Sequence, residues 1–168
     1  ALTQGYSLGC RDGVGGIKSV YFIEFDNVSG ITESSGNATA IAKANGGRFY
    51  KYNLQRATGS WEESYNDSAE NGTSFHTQTL TIILNKMTAS VSQEIKLLAQ
   101  NRLIAVGENK DGTFWLLGDE SGLQRSGGRA GSGTAPGDRN GYELTFTADN
   151  VDPAVTVASG IIAGLIVP

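Results

Sequence analysis

His76 and Cys10 are each the only residue of their kind in the chain. Transition-metal sites draw on clusters of His, Cys and carboxylates, so neither residue has the company a metal centre requires. A Ser-His-Asp triad needs a serine on a sharp Gly-x-Ser-x-Gly elbow, and no serine has those neighbours. His76 reads instead as a histidine near the start of a strand, and Cys10 as a small hydrophobe or bystander. Gly128-Arg-Ala-Gly-Ser-Gly-Thr134 has the look of a phosphate-cradling loop, but Thr134 stands where a P-loop needs Lys. Asp111, Asp119, Glu120 and Asp138 lack EF-hand spacing. Glu62 and Glu63 are neighbours in an extended run, so their carboxylates point to opposite faces and make a poor acid/base pair. No catalytic, metal or cofactor set emerges from these residues, and the expectation is a protein that is not an enzyme.

The element that organises the chain is the run from Phe75 to Gln100. Side chains on a strand alternate, so Leu80, Ile82 and Leu84 form a dry face while Thr77, Thr79 and Thr81 form a wet one. From Ser90 the period changes: Val91, Ile95 and Leu98 fall at i, i+4 and i+7, and Ser90 with Gln93 has capping-box spacing. The pattern predicts one amphipathic helix over about residues 89–100, packed on the Leu80/Ile82/Leu84 face.

The other segments read as strands and turns. Val20-Tyr-Phe-Ile-Glu-Phe25 is β-branched and aromatic, the mark of a strand. Ser29 to Asn37 reads as loop. Thr39–Lys43 and Arg48–Leu54 flank Ala44-Asn-Gly-Gly, a hairpin signal, although the Ala-rich first arm also suits a brief helix. Trp61 to Tyr65 alternates as a half-exposed strand. Leu103–Val106 and Thr113–Leu117 are apolar on both faces and read as a hairpin in the middle of the core. Tyr142, Leu144 and Phe146 alternate inward. Residues 118–141 hold eight glycines with Arg125, Arg129 and Arg139 between them, and read as a long Gly/Arg loop. The glycines of residues 1–16 predict an extended arm, and the apolar tail of 158–168 a last strand or a docked segment.

The totals fit that reading. A chain of 168 residues suits a single domain, and 23 glycines against 3 prolines suit many turns between short strands. The net charge of −4, from 13 basic and 17 acidic residues, supplies no basic field to draw in nucleic acid or an anionic membrane. A lone cysteine excludes an internal disulfide and suits a cytosolic folding compartment. Ala1 to Cys10 lacks the plan of a signal peptide, so the sequons at Asn27, Asn37, Asn66 and Asn71 read as chance. The fold class expected is mainly β, a sandwich or barrel-like sheet with one helix, an arm and a Gly-rich loop.

Six stretches carry a resemblance to a known family. They are Phe49-Tyr-Lys-Tyr-Asn-Leu54; Glu70-Asn-Gly-Thr73 with Gln78-Thr-Leu-Thr-Ile-Ile-Leu-Asn-Lys86; Glu94-Ile-Lys-Leu-Leu-Ala-Gln-Asn-Arg-Leu103; Phe114-Trp-Leu-Leu-Gly118; and Gly141-Tyr-Glu-Leu-Thr-Phe-Thr147. Over about residues 48–150 their order resembles that of bacteriophage tail tube (major tail) proteins. The resemblance implies a virion structural protein made in the host cytoplasm. Its subunits form stacked, typically hexameric rings whose inner wall is a continuous β-barrel, with the helix outside. It also implies contacts with other tail proteins, passage of DNA without sequence-specific binding, and no membrane. On that plan Thr77, Thr79 and Thr81 look into the lumen. Arg125, Arg129 and Arg139 meet acids such as Glu62, Glu63 or Asp67 of a neighbour, since the guanidinium fork suits interface carboxylates. Competing readings are a head-to-tail connector, tail terminator or decoration protein, the inner tube of a contractile injection system, and a carbohydrate-binding β-sandwich using Trp61, Trp115 and Tyr65.

Overall fold

A computed structural model describes residues 1–7, 9–11, 13–55, 58–85 and 87–167. The architecture is mainly β, two sheets packed face to face with two short helices. The larger sheet holds β1 (Ile17–Glu24), β2 (Val28–Ser34), β3 (Asn37–Lys43), β4 (Tyr50–Asn53), β7 (Leu103–Asn109), β8 (Phe114–Leu117) and β11 (Val155–Val157). Their order across it is β2-β3-β11-β8-β7-β1-β4. The smaller sheet holds β5 (Gly59–Ser68), β6 (Thr73–Asn85), β9 (Gln124–Gly131) and β10 (Gly141–Asn150), in the order β5-β6-β10-β9.

The large sheet is covered on both sides, which is why its central strands do not alternate. From β1, Val20 and Phe22 face the small sheet and join Leu80, Ile82, Leu144 and Phe146 in the main core. Tyr21 and Ile23 face the other way, into a second core with Ile104, Val106, Leu116 and Phe49. Strands buried on both faces read as continuous apolar runs. The expected hairpin of β7 and β8 is present, closed at Asn109–Thr113, where Asn109 N donates to Thr113 O at 2.8 Å.

The expected helix forms as α1 (Ala89–Gln100), with Ile95 and Leu98 buried in the main core that also holds Leu80 and Ile82. Its cap is Thr88, whose hydroxyl accepts from Val91 N at 3.3 Å, so Ser90 lies inside the first turn and not at the cap. The tail docks: a 3-10 turn at Ser159–Ile161 leads into the one-turn α2 (Ile162–Leu165), which buries Ile162 and Leu165 in the second core. The strand of this end is β11, just before the tail, and Pro168 lies outside the described residues.

Three sequence readings need correction. Ser29 to Asn37 is not loop: it holds most of β2 and a tight turn at Ser35 (φ 53°) and Gly36 (φ 78°). That edge strand is mostly exposed, so it lacks the apolar alternation by which strands are found. The Asn45-Gly46 turn exists, with Gly47 N donating to Ala44 O at 2.9 Å, but the strands on either side do not pair. β3 pairs with β2 and β11, and β4 pairs with β1 at the far end of the sheet. Phe49 explains the divergence: it is 1% exposed, held in the second core with its N–H donating to Leu165 O. Finally, residues 118–141 are not one long loop, because β9 occupies Gln124–Gly131 and pairs with β10. Glycine permits that close pairing: a Cβ at Gly128 (φ 145°) would stand 2.4 Å from Glu143 O.

Candidate assembly surface

The small sheet has one dry face and one open face, set by strict alternation on β6 and β10. On β6, Gln78, Leu80 and Ile82 are fully buried, while Thr77, Thr79 and Thr81 face outward. Register places Thr79 between Glu62 of β5 and Thr147 of β10, and Thr81 between Ser60 and Thr145. Thr77 lies between Ser64 and Asp149 and donates to Asp149 Oδ1 at 2.8 Å. The next position outward on β10 is Glu143, which Arg129 of β9 meets at 3.3 Å. The result is a hydroxyl carpet carrying the carboxylates of Glu62, Glu143 and Asp149, with Arg129 already paired inside the chain.

Both borders of this sheet are free among the described residues, since β5 pairs only with β6 and β9 only with β10. Every residue of β9 is exposed. A strand whose outer row of N–H and C=O groups faces solvent is a template for another strand. With four glycine or alanine residues among Gly127–Gly131, side chains offer little obstruction to such an approach.

The charged residues expected at contacts are placed unequally. Arg125 and Arg129 are exposed on β9, Arg139 is exposed in the 132–140 connection, and Glu62 is exposed on the open face of β5. Asp67 is exposed and accepts from Ser74 Oγ at 2.5 Å. Glu63 is different: it points into the core side, where Oε2 accepts from Gln78 Nε2 at 3.1 Å and Ala154 N at 2.7 Å. Its carboxylate is committed within its own chain. Gln78 completes this bridge by accepting from Gly118 N at 2.9 Å. Its polar type among the inward positions of β6 was the signal for a buried network.

Other candidate sites take on structural duties. Residues 128–131 are extended strand and not a phosphate cradle. In the connection beyond, Ala135 N and Thr134 N both donate to Asp138 Oδ2, and these bonds hold that carboxyl below the usual range. An incoming anion would have to displace it. His76 Nδ1 lies 3.0 Å from Val151 O, and its ring meets Tyr65 edge-on at 4.9 Å. Trp61 and Trp115 meet at a tilt of 43° with ring centres 5.2 Å apart, and Trp61 Nε1 donates to Asn109 Oδ1 at 3.0 Å, so each indole is engaged within the chain. Cys10 is exposed in the arm. Asp119, between β8 and β9, has its carboxyl pushed up to about 6, first by burial and then by Glu120 and Glu33. Among the described residues no three His, Cys, Asp or Glu side chains gather as metal ligands, and no helix is long and apolar enough to cross a membrane.

Comparison of the chain with protein-family models, with curated proteins and with solved structures gave no match.

Proposed function

We propose that this protein is a structural subunit that assembles with copies of itself into rings and a tube, in the manner of a phage tail tube protein. The observation that carries the reading is the small sheet: its inner face is sealed by the main core, its outer face is a polar carpet, and both of its borders are free. Joining β9 of one copy to β5 of the next completes the hydrogen bonding of both edges, and closure of the ring leaves no edge of the small sheets exposed. The Thr77/Thr79/Thr81 face then lines the lumen, and α1 lies on the opposite side of that sheet, outside. A lumen of hydroxyls and carboxylates suits passage of DNA, because each free Lys or Arg facing phosphate would add affinity that retards movement.

The edge contact can be tested with two prolines. Neighbouring residues of a strand turn their N–H groups to opposite sides, so of Arg129→Pro and Ala130→Pro one removes a bond to β10 and the other a bond available to a neighbour. Thermal unfolding should show that the outward variant keeps its melting temperature, and sedimentation that it loses self-association. Full association by both folded variants would remove β9 from the contact.

The other virion readings, a connector, terminator or decoration protein, share the same edge logic and differ in how many copies close and whether rings stack.

A further inference from the structure

The free edge of the large sheet offers a second docking place, distinct from the borders of the small one. Among the described residues β4 pairs with β1 alone. Leu54 N donates to Lys18 O at 3.0 Å, which fixes the alternation of the ladder: Tyr50 and Tyr52 bond to β1, while the N–H and C=O groups of Lys51 and Asn53 point outward. Beside this edge lie two hollows of about 300 and 190 Å³, both lined by Tyr52 of β4 and Glu94 of α1. They run from the Asn45–Arg48 turn to Gln55 and Asn85, with the edge strand on one side and the helix on the other. Leu97 of α1 stays 42% exposed there and Tyr50 stays 56% exposed, over a buried floor that includes Phe22 and Leu98. A strand edge facing a helix across an apolar floor is a geometry that accepts an extended segment as one more strand.

The chain carries such a segment. From Leu2 to Val14 every apolar side chain stands at an even position, Leu2, Tyr6, Leu8, Cys10 and Val14, with Gln4 and Asp12 interrupting the row, while the odd positions hold Gly, Thr, Ser and Arg. This is the period of a half-buried strand that has no sheet of its own. Leu2 is 101% exposed and Tyr6 89%, and no described residue from 1 to 15 belongs to a strand or helix. The arm's root decides whose groove it reaches. Lys110 N donates to Gly16 O at 3.2 Å, and Lys110 follows β7, on the side of β1 away from β4. The arm is therefore rooted on the far side of β1 from its own groove. At about 3.3 Å per residue, fourteen extended residues reach roughly 46 Å.

We infer that the groove between β4 and α1 receives the N-terminal arm of a second copy of this chain, added as a strand on the Lys51/Asn53 edge with Leu2 and Tyr6 turned toward α1. This docking does not rest on the tube: a closed ring or a dimer would use it equally. Burial, aided by Glu94, pushes the Tyr52 phenol up to about 12, so it stays neutral as a lining group.

The test is hydrogen exchange on the full chain, wild type against Leu2→Asp with Tyr6→Asp. Both substituted residues pack on nothing within the subunit, so the fold is untouched and the melting temperature should match. At concentrations where wild type associates, the Lys51 and Asn53 amides should exchange at least about tenfold more slowly than in the variant, and dilution should abolish the difference. Equal exchange in the two proteins overturns the docking. Protection that survives dilution to monomer also overturns it, because the arm then lies on its own groove. Tubes or rings formed by the variant, with equal exchange, would sink the docking while leaving the proposed wall of small sheets intact.

Discussion

The two sheets share one hydrophobic core and treat their remaining faces in opposite ways. In the large sheet, β1 and β7 are buried on both sides, and the docked tail supplies the second cover through Ile162 and Leu165. In the small sheet the outer face is hydroxyls and carboxylates, and β9 is exposed along its whole length. The first is an interior fixed by packing. The second keeps free hydrogen-bonding groups along β5 and β9 and a polar outer surface. Stability should therefore reside where the sheets meet, and the proposed assembly at the two borders of the small sheet.

That contrast predicts a ranking of mutational effects. Phe146 is fully buried between the sheets, 5.4 Å from the ring of Phe22, and Phe146→Ala should cost about 3–5 kcal/mol in urea unfolding. A cost under about 1 kcal/mol would mean the two sheets are not held by this core. Gln78→Leu should cost about 1–3 kcal/mol, because it strands Gly118 N and takes a donor from Glu63. Unchanged stability would show that the buried bridge is dispensable. For Asp119, the folded pKa of about 6 exceeds its ordinary 3.8, so the folded state binds the proton more tightly. Stability is then greatest below pH 4 as far as this group is concerned and falls as pH rises to about 6. The loss is on the order of 1–2 kcal/mol after allowing for partial solvent screening. Asp119→Asn should flatten that slope, and an identical slope in the variant would place the titration elsewhere. Smallest of all, Thr79→Val on the open face should move stability by no more than about 0.5 kcal/mol, against about 2–5 kcal/mol for Leu80→Ala one residue away. Equal losses at the two positions would erase the distinction between the faces.

Much of this contrast was legible in the residues themselves. The alternation of Leu80 and Ile82 against Thr79 and Thr81, the doubly apolar run of Leu103 to Val106 and the helix stripe of Ile95 and Leu98 each follow from burial on one side or two. The two strands that escaped, β2 and β9, are exposed along nearly all their length and carry no apolar period. β2 and β9 take their form from hydrogen bonds lent by β3 and β10, and glycine at 128 and 141 makes room for a partner without announcing a strand. The Asn45-Gly46 turn misled because a turn signal reports local backbone geometry, while Phe49 and the tail decided where the following strand went. Among the contact residues, Glu62 and the arginines read as surface, but nothing local marked Glu63 as the partner of a buried glutamine.

The central claim is that copies of the subunit complete one another through the borders of the small sheet. Electron microscopy of the purified full chain across a wide concentration range tests it most directly. The account predicts rings or long tubes with a lumen walled by four strands from each copy. Single compact particles at every concentration, with β5 and β9 still open to solvent, would contradict it.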